Sequence, residues 1–192
     1  MSPRAGKKGR HMKLLIASDI HGDAKALREL ARRVDEEVPD RILLLGDLLY
    51  HGPRNDLPKG YAPKEAIPIL NGWADRVVAV RGNCDAEVDQ MVLDFPCRSD
   101  DAQLFVDGRL LYLTHGHLAG RTPKDPPRLP AGSAFLSGHT HKKVLEERGG
   151  LLFVNPGSPS LPKDGVPSFA TYEDGAFALK KLDGETIKEL VC

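Results

Sequence analysis

The chain has 192 residues, with 27 basic against 27 acidic side chains and 41% hydrophobic residues. That is enough for one domain with its own core, and the balanced charge excludes a generally basic nucleic-acid binder. No apolar run approaches the ~20 residues that span a bilayer, and there is no apolar segment of the secretory type, so a cytoplasmic protein is expected. The charge is unevenly placed. Residues 1–12 hold Arg4, Lys7, Lys8 and Arg10 and no acid, which leaves 23 basic against 27 acidic side chains elsewhere. A basic stretch can tether nucleic acid or membrane, but residues 1–12 read better as a disordered or cloning-derived leader ahead of a single domain, 13–192. The cysteines, Cys84, Cys97 and Cys192, are odd in number and form no CxxC pair, which argues against a disulfide framework or zinc knuckle.

The first expected strand is 13–18 (KLLIAS). A helix follows, N-capped by Asp23, with Leu27, Leu30, Ala31, Val34 and Val38 on one apolar face and Pro39 as its stop. Residues 41–46 (RILLLG) form a second strand, so the chain opens as a parallel βαβ unit. A loop at 51–60 leads to a helix over 63–75 that starts at Pro63 and is kinked or shortened by Pro68. A third strand at 76–81 and a short helix at 86–93 come next. Beyond them the pattern changes to short strands at 103–114, 134–138, 143–148, 151–154, 168–173 and 176–182, expected as antiparallel hairpins. The proline-rich stretch 119–132 reads as an irregular loop. The sum is an α/β (α+β) chain with two sheets packed together and covered by helices.

Polar residues follow five of these strands: Asp19 and His21, Asp47, Asn83 with Cys84 and Asp85, His115 with His117, and His139 with His141. Ligands of open α/β sheets bind at the carboxyl ends of strands. Carboxylate, amide and imidazole donors without thiolate suit Mn, Fe, Zn or Co. Each fragment alone is weak, because an isolated Asp-x-His or Gly-Asn is most often a turn. Their order, with four of the seven histidines as proposed ligands, carries the argument.

In that order the chain resembles the calcineurin-like metallophosphoesterases, whose blocks are D-x-H, G-D, G-N-H-[D/E], H and G-H-x-H. It is similar in particular to the YfcE-type phosphodiesterase subgroup, through SDIHG at 18–22, HGPRN at 51–55, GYAP at 60–63, AVRGNCD at 79–85, EVDQM at 87–91, LTHGH at 113–117 and NPGS at 155–158. The resemblance implies a four-layer α/β/β/α sandwich of two mixed sheets flanked by helices. It implies a phosphodiesterase with two divalent metal ions, Mn first, with Zn, Fe, Ni or Mg as alternatives. Asp19, His21 and His141 would hold one ion, and Asn83, His115 and His139 the other. Asp47 would bridge them, with a bridging hydroxide as nucleophile.

One block departs from the family: Cys84 stands where many members have His, which shifts any acid role toward His117 or a water. Asp47, Asn83 and His117 are thus the expected catalytic residues, and Arg54, Asn55 and Cys84 the expected substrate contacts. Asp85 is read as orienting a histidine or capping the 86–93 helix. The NPGS segment reads as a turn near the site. The implied partners are a small phosphodiester substrate and further copies of the chain, a dimer or tetramer, without nucleic acid or membrane. The rival readings are a non-catalytic interaction scaffold on the same fold and a phosphomonoesterase.

Overall fold

The computed structural model describes residues 12–191, so most of the basic leader lies outside the described residues. One sheet of six strands runs β11-β10-β9-β1-β2-β3, where β1 is Leu14–Ala17, β2 Arg41–Leu44, β3 Val77–Ala79, β9 Ser168–Glu173, β10 Ala176–Lys181 and β11 Thr186–Val191. The second sheet has five, in the order β4-β5-β6-β8-β7: β4 Asp101–Val106, β5 Arg109–Thr114, β6 Ala134–Leu136, β7 Lys143–Arg148 and β8 Leu151–Pro156. Both sheets are mixed, with β1, β2 and β3 parallel in the first and β5, β6 and β8 parallel in the second.

Strand periodicity explains the layers. Leu14 and Ile16 face the second sheet together with Leu43, Leu113, Leu136 and Val154. Leu15 and Ala17 face the helices, against Leu27, Leu30, Val34, Ala66 and Leu70. Successive side chains of a strand alternate faces, and covering both faces is what makes β1 uniformly apolar. Helix α1 (Ala24–Glu37) begins as expected, with Asp23 accepting from the Ala26 amide at 2.9 Å. Val38 is not on its apolar face. It is the C-cap, left-handed at φ 47° and 65% exposed.

Helix α2 (Pro63–Asn71) stops well before 75; Pro68 lies inside it and a separate 3-10 turn occupies Ala74–Arg76. The expected 86–93 helix is a 3-10 segment, Glu87–Met91. The expected single strand 103–114 is a hairpin turning at Asp107 and Gly108, whose positive φ angles (52° and 81°) match the twist of a tight hairpin turn. β6 is parallel to both neighbours, because the long 115–133 connection carries the chain back across the sheet before it re-enters. β11 was not expected; its mostly exposed edge position needs no apolar run. The two helices pack on the first sheet, whereas Tyr112, Phe135 and Phe153 on the outer face of the second pack against Leu129 of the irregular 115–133 chain.

Candidate metal centre

The turns after β1, β2 and β6 are the conformationally special parts of the backbone. Asp19 (φ 57°), His21 (51°), Asp47 (55°), His139 (66°) and His141 (55°) all take left-handed conformations. In non-glycine residues these cost on the order of 1–3 kcal/mol each and persist only where the surroundings enforce them. Close approach of backbone enforces them here. A Cβ on Gly46 would lie 2.4 Å from the Gly82 amide, one on Gly82 2.0 Å from Asp47 Oδ1, and one on Gly138 1.9 Å from Ser18 Oγ. The ends of β2 and β3, and those of β6 and β1, therefore interlock through positions that only glycine fills.

Asp85 fastens two of these turns. Its carboxylate accepts from the amides of Asp47 (2.8 Å), Leu48 (2.8 Å) and Gly82 (2.7 Å). Its partners are backbone amides, not an imidazole, and Asp89 rather than Asp85 bonds the Ala86 amide at the start of the 3-10 segment. Burial pushes the Asp85 carboxyl up to about 6, against those amides.

Three histidines are oriented alike. Nδ1 of His21 bonds the Tyr50 carbonyl (2.8 Å), that of His115 the Leu45 carbonyl (2.7 Å), and that of His141 the Leu161 carbonyl (2.8 Å). A carbonyl only accepts, so each Nδ1 carries a proton, which leaves Nε2 as the atom turned toward the centre and able to meet a cation. These Nε2 atoms converge. His21 and His141 are 3.1 Å apart. Asp19 Oδ1 lies 3.2 Å from His141 Nε2, 3.8 Å from His21 Nε2 and 3.9 Å from His115 Nε2. Asp47 Oδ2 lies 3.3 Å from His115 Nε2 and 3.8 Å from His21 Nε2.

Asp19 Oδ1 is buried without a hydrogen-bond partner, and two Nε2 atoms face each other at 3.1 Å. A cation accounts for both. Metal–nitrogen bonds of ~2.1 Å place neighbouring ligands roughly 3–3.4 Å apart, the range of the shortest contacts here, 3.1, 3.2 and 3.3 Å. Of three candidate donor groups among the described residues, two are built from Asp and His alone, Asp19-His21-His141 and Asp19-Asp47-His115, and the third joins Cys84 to His21 and Asp47.

Electrostatics follow the same geometry. Burial alone would raise Asp19 and Asp47, but His115, aided by His141 at Asp19 and by the Cys84 amide and His21 at Asp47, holds both below the usual carboxylate range. Burial would lower His115, but Asp19 and Asp47 raise it to about 9. Burial and the neighbouring His115 and His139 push His117 down to about 4.

The remaining expected residues separate. Asn83 Oδ1 is 3.2 Å from His115 Nε2, and its amide nitrogen donates to Cys84 Sγ at 3.2 Å. The His139 ring is 5.1 Å from that of His115, outside the two donor groups, while its amide donates to Asp19 Oδ2 at 3.0 Å. Cys84 Sγ lies within 4.8 Å of donor atoms of His21 and Asp47. Burial and Asp47 push its thiol up to about 12, so it stays neutral. Asp47, Arg54, Asn55, Asn83, Cys84, His139 and His141 line one cavity of about 280 Å³, joined by Lys163, which carried no sequence signal. His117 lines a different cavity, which His139 also lines.

The NPGS segment proves to be scaffolding. Asn155 Nδ2 donates to the Gly138 carbonyl (2.8 Å) and Thr140 Oγ1 (3.2 Å), and its Oδ1 accepts from the Gly157 amide (2.9 Å). Ser158 and Ser160 hydroxyls both donate to the Asp19 carbonyl, at 2.7 and 3.0 Å. The motif was visible in the sequence, but its reach to residues 138 and 19 was not.

Two mixed sheets whose strand ends converge on a buried cluster of carboxylates and imidazoles define a metal-binding α/β sandwich. Residues 12–174 match the model of the calcineurin-like phosphoesterase superfamily domain, and the chain belongs to that family. It is 43% identical over 177 residues to the phosphodiesterase YfcE of Escherichia coli strain K12, spanning 92% of this chain and 95% of that protein. A solved structure of YfcE, a phosphoesterase from E. coli, superposes with a TM-score of 0.90 at 42% identity, covering 94% of this chain and 99% of that one. The probable metallophosphoesterase YsnB of Bacillus subtilis strain 168 is 31% identical over 93% of this chain and 96% of its own length.

Proposed function

We propose that this chain is a metal-dependent phosphodiesterase with two divalent cations, Mn2+ first among candidates, acting on a small phosphodiester. One observation carries the reading: two donor groups share Asp19, with Asp47 in the second, and the Nδ1 protons of His21, His115 and His141 are held on carbonyls facing away. Asp19, His21 and His141 would hold one ion, and His115, His139 and Asn83 the other. Asp47, whose Oδ2 lies near both His115 and His21, would bridge them. Bound cations supply Lewis-acid stabilisation of the phosphoryl oxygens and activate a water for in-line attack.

The chain's own groups do the rest. Arg54 and Lys163 at the rim of the cavity put positive charge toward the phosphoryl oxygens. Asp85 and Asn155 hold the turns that aim the donors. His117, beside His139, would contact the substrate. Cys84, a neutral thiol, is no nucleophile in this reading. The similarity to YfcE supports the diesterase reading over a monoesterase, and the presence in the sequence of all seven expected ligand residues supports an enzyme over a scaffold. A cytoplasmic homo-oligomer is part of the proposal, and light scattering checks its size.

The test is hydrolysis of bis(p-nitrophenyl) phosphate and p-nitrophenyl phosphate by metal-stripped protein with Mn2+ restored, beside Asp47→Asn. Diester cleavage that requires metal and disappears in the variant is expected. Faster monoester cleavage would move the substrate class, and a folded protein inactive with every divalent ion would refute the enzyme reading.

A further inference from the structure

The metal-side cavity is not the only one that His139 lines. Between the outer face of the second sheet and the 115–133 chain lies a cavity of about 540 Å³. The two differ in character. The first presents Asp47, Arg54, Asn83 and Lys163. The second has a floor of Val144 and Phe153, faced by Pro123, and is lined by both His117 and His139. Among the described residues no helix covers this face of the sheet; the irregular 115–133 chain packs there on Tyr112, Phe135 and Phe153 and leaves Val144 partly exposed.

Its walls are fixed. The Arg148 guanidinium sits 4.3 Å over the Phe153 ring and donates to the Pro123 carbonyl at 2.6 Å, tying floor to roof. The Thr122 and Asp125 amides donate to each other's carbonyls, which closes the loop beside it. Volume and lining match those of small-molecule sites, which run from roughly 300 to 1,000 Å³ and are mostly apolar with a few placed polar groups.

We propose that this cavity is a substrate subsite that takes an apolar planar substituent, an aryl group in chemical class, of the phosphodiester whose phosphorus sits at the metal centre. This rests on the phosphodiesterase reading and deepens it. A diester carries two organic groups on one phosphorus. The polar cavity and the apolar one share His139 in their linings, so with the phosphoryl group in the first, one substituent leaves water for the Val144–Phe153 floor of the second. A monoester with a small organic group cannot use both.

Calorimetry with non-hydrolysable phosphonates tests this. Metal-loaded wild-type protein should bind phenylphosphonate about 10-fold more tightly than methylphosphonate, the scale on which apolar pockets discriminate, with 1-naphthylphosphonate at least as tight. Val144→Trp, which fills the floor, should bring phenylphosphonate to the methylphosphonate level and leave methylphosphonate unchanged. Equal wild-type affinities for the methyl and phenyl compounds would overturn the subsite, as would a variant that weakens both alike. The wild-type comparison decides the matter alone if the variant does not fold. Methylphosphonate binding to the loaded protein separates the two readings: if it binds and the aryl groups gain nothing, only the subsite falls, and if none of the three binds, the phosphodiesterase reading falls with it.

Discussion

Asn155→Ala is the substitution from which the structure makes the most specific demand. The side chain is 2% exposed and makes three hydrogen bonds, none to a candidate donor. The Gly138 carbonyl keeps a second donor, the Thr140 amide at 2.8 Å, so it is not orphaned by the change. The Gly157 amide has Asn155 Oδ1 as its partner, at 2.9 Å, and would be left in the cavity the truncation opens. An unsatisfied buried donor costs about 1–3 kcal/mol and each lost neutral bond about 1 kcal/mol, which gives roughly 2–4 kcal/mol in total. The same loss frees the turn that keeps His139 at φ 66° and His141 at φ 55°. Removing groups that orient ligands typically lowers metal affinity about 10–100-fold. Urea unfolding of the metal-free protein measures the first quantity and calorimetric Mn2+ or Zn2+ titration the second. A variant within 0.5 kcal/mol of wild type that also keeps its metal affinity within about twofold would refute the argument that Asn155 holds this turn.

Gly82→Ala places a methyl group 2.0 Å from Asp47 Oδ1 and 2.4 Å from the Asp47 amide; overpacking of this kind costs about 1–3 kcal/mol, and metal analysis should show reduced stoichiometry. Chelation should lower the melting temperature: at free metal near 100 times Kd the bound form gains about 2.7 kcal/mol, which at ~2–4 °C per kcal/mol for a domain this size is about 5–10 °C, and an unchanged melting curve would count against a structural ion. Burial would raise the Glu37 carboxyl, but Lys13, at 2.8 Å, and Lys180 lower it below its ordinary 4.5. A depressed folded value means stability present above pH 4.5 and lost as pH falls through the folded value, so Glu37→Gln should flatten the acid limb of the stability–pH curve. Lys13, which burial would lower, is raised by Glu37 and Glu173, so its contribution holds below pH 10.5 and fades as pH rises through the folded value; in Glu37→Gln that alkaline loss should shrink as well.

Local sequence determined much of this protein. The uniform apolar runs of β1 and β2, the Asp23 cap, the Pro63 start and the chemistry-bearing residues after each strand are all nearest-neighbour signals, and all appear where the pattern put them. Where the pattern failed, the information was not local. Val38 has the right spacing for the apolar face of α1 but falls on the residue that ends it. β6 is parallel because of where a long loop returns the chain, and β11 is a strand because β10 offers it an edge. In the site, residue types could be read from the sequence, but their partners could not. The carbonyls of Leu45, Tyr50 and Leu161 decide which nitrogen of His115, His21 and His141 faces the centre, and every residue has a carbonyl, so no side-chain pattern marks them. Asp85 reads as a histidine partner or a helix cap until the fold brings the amides of Asp47 and Leu48 across from 37–38 residues away. Donor chemistry is a property of side chains and is written one residue at a time; convergence, proton placement and the apolar cavity lined by His139 depend on distances between segments far apart in the chain, and only packing sets those.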